Sequence, residues 1–279
     1  MISTALQLFL FTTDKDIILS AGDAGISGFI IDWENKGKYE RQKEADTQIN
    51  YDSLETLQYV RSLTVTHIIC RINRNGCLHE CKEEISLALD GGANEILLPM
   101  VRTVKEVESV LNFVQGRCAV GILIETQAAV DLAAELGALP LSRVYVGLND
   151  LAIDRNKRNI FSAVKDGTVD HVRQYINVPF GFAGLTLPGC GYPVPAKFLY
   201  SEMARLQCSF TFLRRSFLRD IQGKDMANKI GEMRQAMKNA FLSPLLTKEK
   251  NRKEMETFIE KMGTGKNILH NHKSGKSIP

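Results

Sequence analysis

The stretch ILIETQAAVDLAAELGALPLSRVYVGLNDLA (122–152) joins two short apolar runs through one segment with helical spacing. The first run ends at Glu125, and the second, RVYVGL (143–148), ends just before Asn149 and Asp150. Runs that are apolar at nearly every position are typical of strands buried on both faces of a parallel sheet. The stretch therefore predicts one strand-helix-strand unit with acidic side chains directly after each strand.

Similar units repeat along most of the chain. Eight short β-branched or aromatic runs alternate with helical segments, at 5–11, 28–32, 66–72, 95–99, 119–125, 143–148, 180–187 and 209–215. Eight repeats predict an α/β fold of the (β/α)₈ TIM-barrel type, with the barrel over residues 1–241. An open doubly wound sheet would ordinarily carry G-x-G-x-x-G after an early strand, and this chain does not.

The alternation stops after Phe241. Residues 242–279 are predicted to form a C-terminal helical extension, with a charged helix at 248–261 followed by a disordered tail. Two interpretations of that helix are open, a solvated extension or a helix that docks on a neighbouring subunit. The second would suit a homo-oligomer.

Composition limits the compartment and the partners. The chain has 279 residues, 44% of them hydrophobic, and a formal net charge of only +3. So small an excess does not indicate nucleic-acid binding, and no apolar run is long enough for a membrane span. The opening residues lack a basic region and a cleavage site, so the six Cys predict reduced thiols in a cytoplasmic protein.

In a barrel of this type, chemistry is found where the strands end. The polar or conformationally special positions after the eight predicted strands are Asp32, Glu34, Asn35, Arg71, Asn73, Pro99, Met100, Glu125, Thr126, Asn149, Asp150, Pro188, Gly189, Arg214 and Arg215. His67 lies inside the third strand and is interpreted as a core histidine, not a ligand.

Glu125 and Asp150 follow adjacent strands, so their carboxylates are candidate ligands for one Mg²⁺ or Mn²⁺ ion. Such an ion can chelate a 2-oxo acid and polarise its carbonyl, and Arg71 could stabilise the negative charge that develops. The alternative is that both acids only cap the helices that follow them.

These segments resemble a known family, the metal-dependent pyruvate aldolases with the citrate lyase β-subunit and malyl-CoA lyases. GGANEILLPMVRTVKEVESVL (91–111) is similar to its G-A-x-x-I-x-x-P-M-V-x-T segment, and 122–152 to its I-E-T helix and following G-x-x-D-L. IDWEN (31–35) resembles D-x-E-H or L-E-D, and CRIN (70–73) resembles V-R-x-N. The resemblance implies that Glu125 and Asp150 bind the metal and that Arg71 stabilises an enolate.

The chain departs from this pattern at the second and eighth strands. Asn35 stands where the aldolases have His and the thioester lyases have Asp, and an amide cannot accept a proton at neutral pH. Arg214 and Arg215 replace a small and acidic ending. Because side chains alternate along a strand, only one of the two can face inward, where it would favour an anionic second substrate; the alternative is a solvated or salt-bridged pair.

The leading hypothesis is therefore a metal-dependent carbon–carbon lyase, a class II aldolase that acts through a pyruvate-type enolate. Asp32, Glu34 and Asn35 would assist catalysis with Arg71. Substrate contacts are predicted, besides Arg71, from Asn73, Pro99, Asn149, Pro188, Arg214 and Arg215. Two alternatives stay open, a lyase for citryl-CoA or malyl-CoA and a barrel that has lost catalysis and serves as a binding or assembly subunit.

Overall fold

Parallel strands form a single sheet that curls into a barrel. The structure is a computed structural model that describes residues 6–35, 52–73 and 78–264. Over these residues the strands are β1 (Gln7–Phe11), β2 (Gly28–Asp32), β3 (His67–Arg71), β4 (Glu95–Leu98), β5 (Ala119–Ile124), β6 (Arg143–Val146), β7 (Phe180–Phe182), β8 (Gly184–Leu185) and β9 (Phe210–Leu213). Their order in the sheet is β7-β6-β5-β4-β3-β2-β1-β9-β8, and every pairing is parallel.

The barrel closes through a strand that is broken in the middle. β7 and β8 lie at opposite ends of the sheet order but are separated in the chain by Ala183 alone. Ala183 has a φ of 50°, a left-handed conformation that interrupts the ladder. β7 pairs with β6 and β8 pairs with β9, so the continuous segment 180–185 joins the two ends. The prediction of one strand over 180–187 is thus corrected, and the predicted (β/α)₈ barrel is confirmed.

Helices surround the barrel, and several begin at a side-chain cap. Thr103 and Glu106 form a reciprocal capping box at the start of the helix that precedes β5. In the described residues the helices are α1 (Lys15–Asp23), α2 (Leu54–Leu63), α3 (Leu78–Asp90), α4 (Val104–Val114), α5 (Gln127–Asp131), α6 (Ala133–Gly137), α7 (Leu148–Asp154), α8 (Ser162–Lys165), α9 (Thr168–Arg173), α10 (Ala196–Arg205), α11 (Arg215–Ile221), α12 (Met226–Leu242) and α13 (Leu245–Thr264).

Two separate hydrophobic clusters result from strand alternation. Outward-facing strand residues pack against the helices, and inward-facing residues fill the barrel. The interior cluster consists of Phe9, Ile30, Ile69, Leu97, Leu123, Tyr145, Phe210 and Phe212. Tyr145 and Phe212 stack with ring centroids 4.1 Å apart. This packed layer separates the two polar ends of the barrel interior.

The charged C-terminal helix packs on its own barrel. α13 lies against α10, with Met255 and Ile259 buried between them and the neighbouring helices. The Asn159 side-chain amide donates to the Ile259 carbonyl at 2.9 Å, and Arg252 Nη1 pairs with Asp170 Oδ1 at 3.1 Å. The helix is therefore neither fully solvated nor extended away from the chain. The tail predicted to be disordered is 263–279; its first two residues belong to α13, and the rest, from residue 265, lies outside the described residues.

No helix in the described ranges combines the length and the apolar character that a membrane span requires.

Candidate active site

Arg71 is held by two acidic side chains where β2 and β3 end. Asp32 and Arg71 are register partners in the parallel ladder. Arg71 Nε donates to Asp32 Oδ1 at 2.8 Å and Nη2 to Oδ2 at 2.7 Å, a two-pronged ion pair. Its third nitrogen, Nη1, lies 3.2 Å from Glu34 Oε2, and the guanidinium carbon lies 5.3 Å from the Phe11 ring centroid. The guanidinium is thus fixed in one orientation.

These neighbours also keep Arg71 charged. Burial lowers the pKa of the guanidinium, but the charges of Asp32 and Glu34 outweigh burial and raise that pKa above its ordinary value. Arg71 is therefore a permanent positive charge inside the barrel mouth.

Glu125 and Asp150 are buried at the same end of the barrel. Glu125 directly follows β5 and is 4% exposed, and Asp150 lies in the first turn of α7 and is 6% exposed. The Met100 backbone N–H donates to Glu125 Oε2 at 3.1 Å, from a residue with a φ of 52°. A Cβ at Gly147 would lie 2.5 Å from Glu125 Oε1, so any larger residue there would displace the carboxylate.

The electrostatics of this mouth favour a cation. Burial raises the pKa of Glu125 well above its ordinary value, and the negative charges of Asp150 and Glu34 raise it further. The charge of Arg71 and the hydrogen bond from the Met100 N–H act in the opposite direction but are weaker. Among the described residues, the four acids Asp32, Glu34, Glu125 and Asp150 outnumber the two inward-facing arginines of this mouth, Arg71 and Arg214. Such an excess of buried negative charge is relieved by a bound cation or by a proton.

The donor set fits a hard divalent ion. Two buried carboxylates from adjacent strand ends provide oxygen ligands, and Mg²⁺ typically binds through one or two carboxylates and keeps several waters. Among the residues that the structure describes, no group of three or more His, Cys, Asp or Glu side chains is arranged to hold a metal. The chain's contribution to a metal site here would therefore be Glu125 and Asp150, with water or substrate in the other positions.

Asn35 and Asn73 form a structural link between two loops. The Asn35 backbone N–H donates to Asn73 Oδ1 at 2.9 Å. Asn73 Nδ2 in turn donates to the Trp33 carbonyl at 2.8 Å and to Glu84 Oε1 at 2.9 Å. The Asn73 side chain therefore holds the segment after β2 in place. Its predicted contact with substrate stays a prediction, as does the catalytic role of Asn35.

The remaining candidates lie at the same end of the barrel. Pro99 is buried after β4, Asn149 is half-buried beside Asp150, and Pro188 is half-buried after β8. Their roles in substrate binding stay predictions.

Arg214 and Arg215 differ in direction. Phe212 points into the barrel and Leu213 away from it, so Arg214 points inward again. Arg214 is half-buried and its Nε donates to the Gly184 carbonyl at 2.8 Å, whereas Arg215 begins α11 and is exposed. The inward arginine that alternation predicts is thus Arg214.

Several features of the site have no signal in the sequence. They include the backbone N–H of Met100, which positions Glu125, and the Asp52 carboxylate, which accepts from the Asp32 backbone N–H at 2.9 Å. Gly147 stands inside the G-x-x-D-L motif, but only the structure shows that its missing side chain makes room for Glu125.

The fold and the site together define a (β/α)₈ barrel with acidic side chains at the carboxyl ends of its strands. The model of the HpcH/HpaI aldolase/citrate lyase family matches residues 6–160, more than half of the chain. The chain belongs to this family. Membership supports a function of the lyase or aldolase type.

Solved structures show the same fold at low sequence identity. Citrate synthase SbnG is 16% identical, with a TM-score of 0.54 over 78% of this chain and 90% of that chain. RipC from Yersinia pestis is 14% identical, with a TM-score of 0.53 over 88% and 98% of the two chains. Tryptophan synthase from M. tuberculosis is 9% identical, with a TM-score of 0.55 over 84% and 94%. Among curated proteins, no sequence matches this chain.

Proposed function

We propose that the chain is a metal-dependent carbon–carbon lyase of the aldolase type that acts on a 2-oxo acid. The observation that carries the proposal is the pairing of two buried carboxylates, Glu125 and Asp150, with a guanidinium fixed at Arg71 in the same barrel mouth. A bound Mg²⁺ or Mn²⁺ would supply Lewis-acid polarisation of the substrate carbonyl.

Arg71 is suited to stabilise a pyruvate-type enolate. Asp32 grips two of its nitrogens, so the orientation of the guanidinium is set before substrate arrives. Nη1, which faces Glu34, is the nitrogen placed to donate to an oxygen that gains negative charge. Asp32 is in this proposal a positioning residue for Arg71.

Of the residues predicted at the end of β2, Glu34 is the one that we assign as the proton acceptor. Both Asp32 oxygens accept hydrogen bonds from Arg71, and the Asn35 amide does not accept a proton at neutral pH. The Glu34 carboxylate is buried near both Arg71 and Glu125, whose pKa it raises. Glu34 would thus carry the proton that enolate formation releases.

The proposal is tested by measuring, with proton NMR, the exchange of the pyruvate methyl protons for deuterium in D₂O with Mg²⁺ present. We expect the methyl signal to decay with the full-length protein and to persist after EDTA treatment. Exchange that continues at the same rate in stripped protein would contradict metal dependence. Absence of exchange with pyruvate and with other 2-oxo acids would favour a non-catalytic barrel.

A parallel assay addresses the thioester alternative, which the family description supports because it includes citrate lyase. Cleavage of malyl-CoA or citryl-CoA is measured by the amount of the corresponding short acyl-CoA that is released. Cleavage of either thioester without methyl exchange in free pyruvate would favour a CoA-ester lyase over a pyruvate aldolase.

A further inference from the structure

Arg214 is an inward-facing cation across the barrel mouth from Arg71 and Glu125. In the closed ring, two strands, β1 and β2, separate β9 from β3, and two others, β6 and the broken strand, separate it from β5. Arg214 directly follows β9, so it stands across the mouth from both Arg71 and Glu125. A substrate that reacts near those two residues could extend toward it.

The chain makes room for this side chain. A Cβ at Gly184 would lie 2.7 Å from Arg214 Cγ, so a larger residue at position 184 would displace the arginine side chain. The Gly184 carbonyl accepts from Arg214 Nε at 2.8 Å, and the guanidinium carbon lies 5.8 Å from the Phe161 ring centroid. These contacts hold the Nε edge and one face of the guanidinium.

Unlike Arg71, Arg214 is not neutralised by an acid in the part of the chain that the structure describes. Across the described residues, no carboxylate lies within ion-pair distance of its guanidinium, and the acid that acts on it electrostatically is Asp220. Asp220 Oδ2 accepts a hydrogen bond from Thr186 Oγ1 at 2.5 Å. Burial lowers the pKa of Arg214. A half-buried arginine without a counter-ion is typical of a site for an anionic ligand.

We propose that Arg214 is a specificity-determining residue that binds a carboxylate or phosphate group of the second substrate, across the barrel mouth from Glu125 and Arg71. This inference rests on the proposed function for its substrate, but not for the existence of the anion site. Carboxylates and phosphates share the paired oxygens that a guanidinium recognises.

The test is calorimetric titration of the full-length protein with inorganic phosphate and, separately, with succinate. We expect saturable binding of at least one of the two, and the tighter ligand indicates whether phosphate or carboxylate chemistry is recognised. Arg214→Gln should weaken that binding about tenfold or more, because it removes a charge-assisted bond. Arg219→Gln, exposed on α11, is the matched control and should bind like the wild type.

Three outcomes would overturn the proposal. They are no saturable binding of either anion to the wild type, unchanged affinity in Arg214→Gln, and an equal loss of affinity in Arg219→Gln. Arg214→Lys keeps the positive charge but loses the planar guanidinium that can donate two hydrogen bonds at once, so an intermediate affinity is expected. If neither Arg214 variant folds, phenylglyoxal modification of the wild type decides, since a bound anion should protect Arg214 and leave the exposed Arg219 reactive.

The two proposals fail separately. If pyruvate exchange is absent but anion binding at Arg214 is observed, the anion site stands and the chain is a binding barrel. Loss of the anion result with exchange present leaves a pyruvate lyase whose acceptor is recognised elsewhere.

Discussion

Two buried glutamates on neighbouring strands have opposite electrostatic surroundings. Glu95 begins β4 at one end of the barrel interior, and Glu125 follows β5 at the other. Arg143 Nε donates to Glu95 Oε1 at 2.7 Å, and His67 Nε2 lies 2.9 Å from Oε2. Burial by itself would raise the pKa of Glu95, but His67, Arg143 and Ser142 outweigh it and lower that pKa. The pKa of Glu125, among like charges, is raised.

The difference separates a structural polar cluster from a functional one. At Glu95 the protein supplies its own cation, Arg143, and further hydrogen-bond partners in His67 and Ser142, so nothing further is needed to stabilise the charge. At Glu125, among the described residues, the neighbouring acids outnumber the neighbouring cation Arg71, and a bound cation would offset the excess negative charge. The interior layer of apolar and aromatic side chains, which includes Phe9 and Tyr145, keeps the two clusters apart.

The largest effect is expected from substitutions at the functional cluster around Glu125. Glu125→Gln and Asp150→Asn should each lower metal-dependent pyruvate exchange about a hundredfold or more, because loss of outer-shell groups alone often costs ten- to hundredfold. The free energy of unfolding without metal should stay the same or rise in Glu125→Gln, since the amide removes a buried charge. Glu135→Gln, exposed on α6, is the control. Exchange at the wild-type rate in both variants would refute the assignment of the ligands.

The second prediction concerns a substitution at the structural cluster around Glu95. Glu95→Gln should lower the free energy of unfolding by about 3 kcal/mol, because Arg143 then keeps a buried charge without its partner. Urea unfolding measures this, with Glu135→Gln again expected near zero. Exchange per folded molecule should be that of the wild type. A stability like that of Glu135→Gln would show that the Glu95 cluster contributes little.

The third prediction concerns the stability that a bound divalent cation adds to the protein. At a concentration of Mn²⁺ one hundred times its dissociation constant, the wild type should gain about 2.7 kcal/mol of stability, visible as a higher melting temperature. Glu95→Gln should show the same increase from its lower starting point. Glu125→Gln and Asp150→Asn should show little or none. An equal shift in all four proteins would place metal binding elsewhere.

The smallest effect is in the pH dependence of metal-free protein. The pKa of Glu125 is raised on folding, so the native state holds a proton that the unfolded chain has released between the ordinary and the raised pKa. Raising the pH through that window therefore lowers the free energy of unfolding, by at most about 1.4 kcal/mol per pH unit. Glu95, with a lowered pKa, has the opposite sign and loses its contribution as the pH falls toward that pKa.

Subtracting the Glu125→Gln curve from that of the wild type isolates the first of these effects. We expect the wild type to lose stability relative to the variant as the pH rises above the ordinary glutamate pKa. Urea unfolding at several pH values with EDTA present measures the difference. A difference that does not change with pH would mean that Glu125 titrates normally in the folded protein.

Much of the fold and part of the site could be predicted from the strand ends. Strand alternation and apolar runs predicted the barrel, and the positions after those runs include Asp32, Arg71, Glu125 and Asp150. His67, interpreted as a core histidine, is half-buried and forms a hydrogen bond with Glu95, so it is satisfied but not fully in the core. Glu95 itself gave no signal because it looks like an ordinary strand residue. The break at Ala183 was also missed, since alanine does not favour a positive φ.

The sequence by itself determined which edge of the barrel carries acidic groups, because in a parallel sheet every strand presents its carboxyl end to the same side. Only the tertiary structure decided which charges meet. Register pairs Asp32 with Arg71, and closure of the ring brings Arg214 across the mouth from Arg71 and Glu125. The depth of a residue along its strand places Glu95 beside Arg143 and Glu125 beside other acids. The physical reason is that a carboxylate's energy depends on neighbours a few ångströms away, and these come from strands distant in sequence.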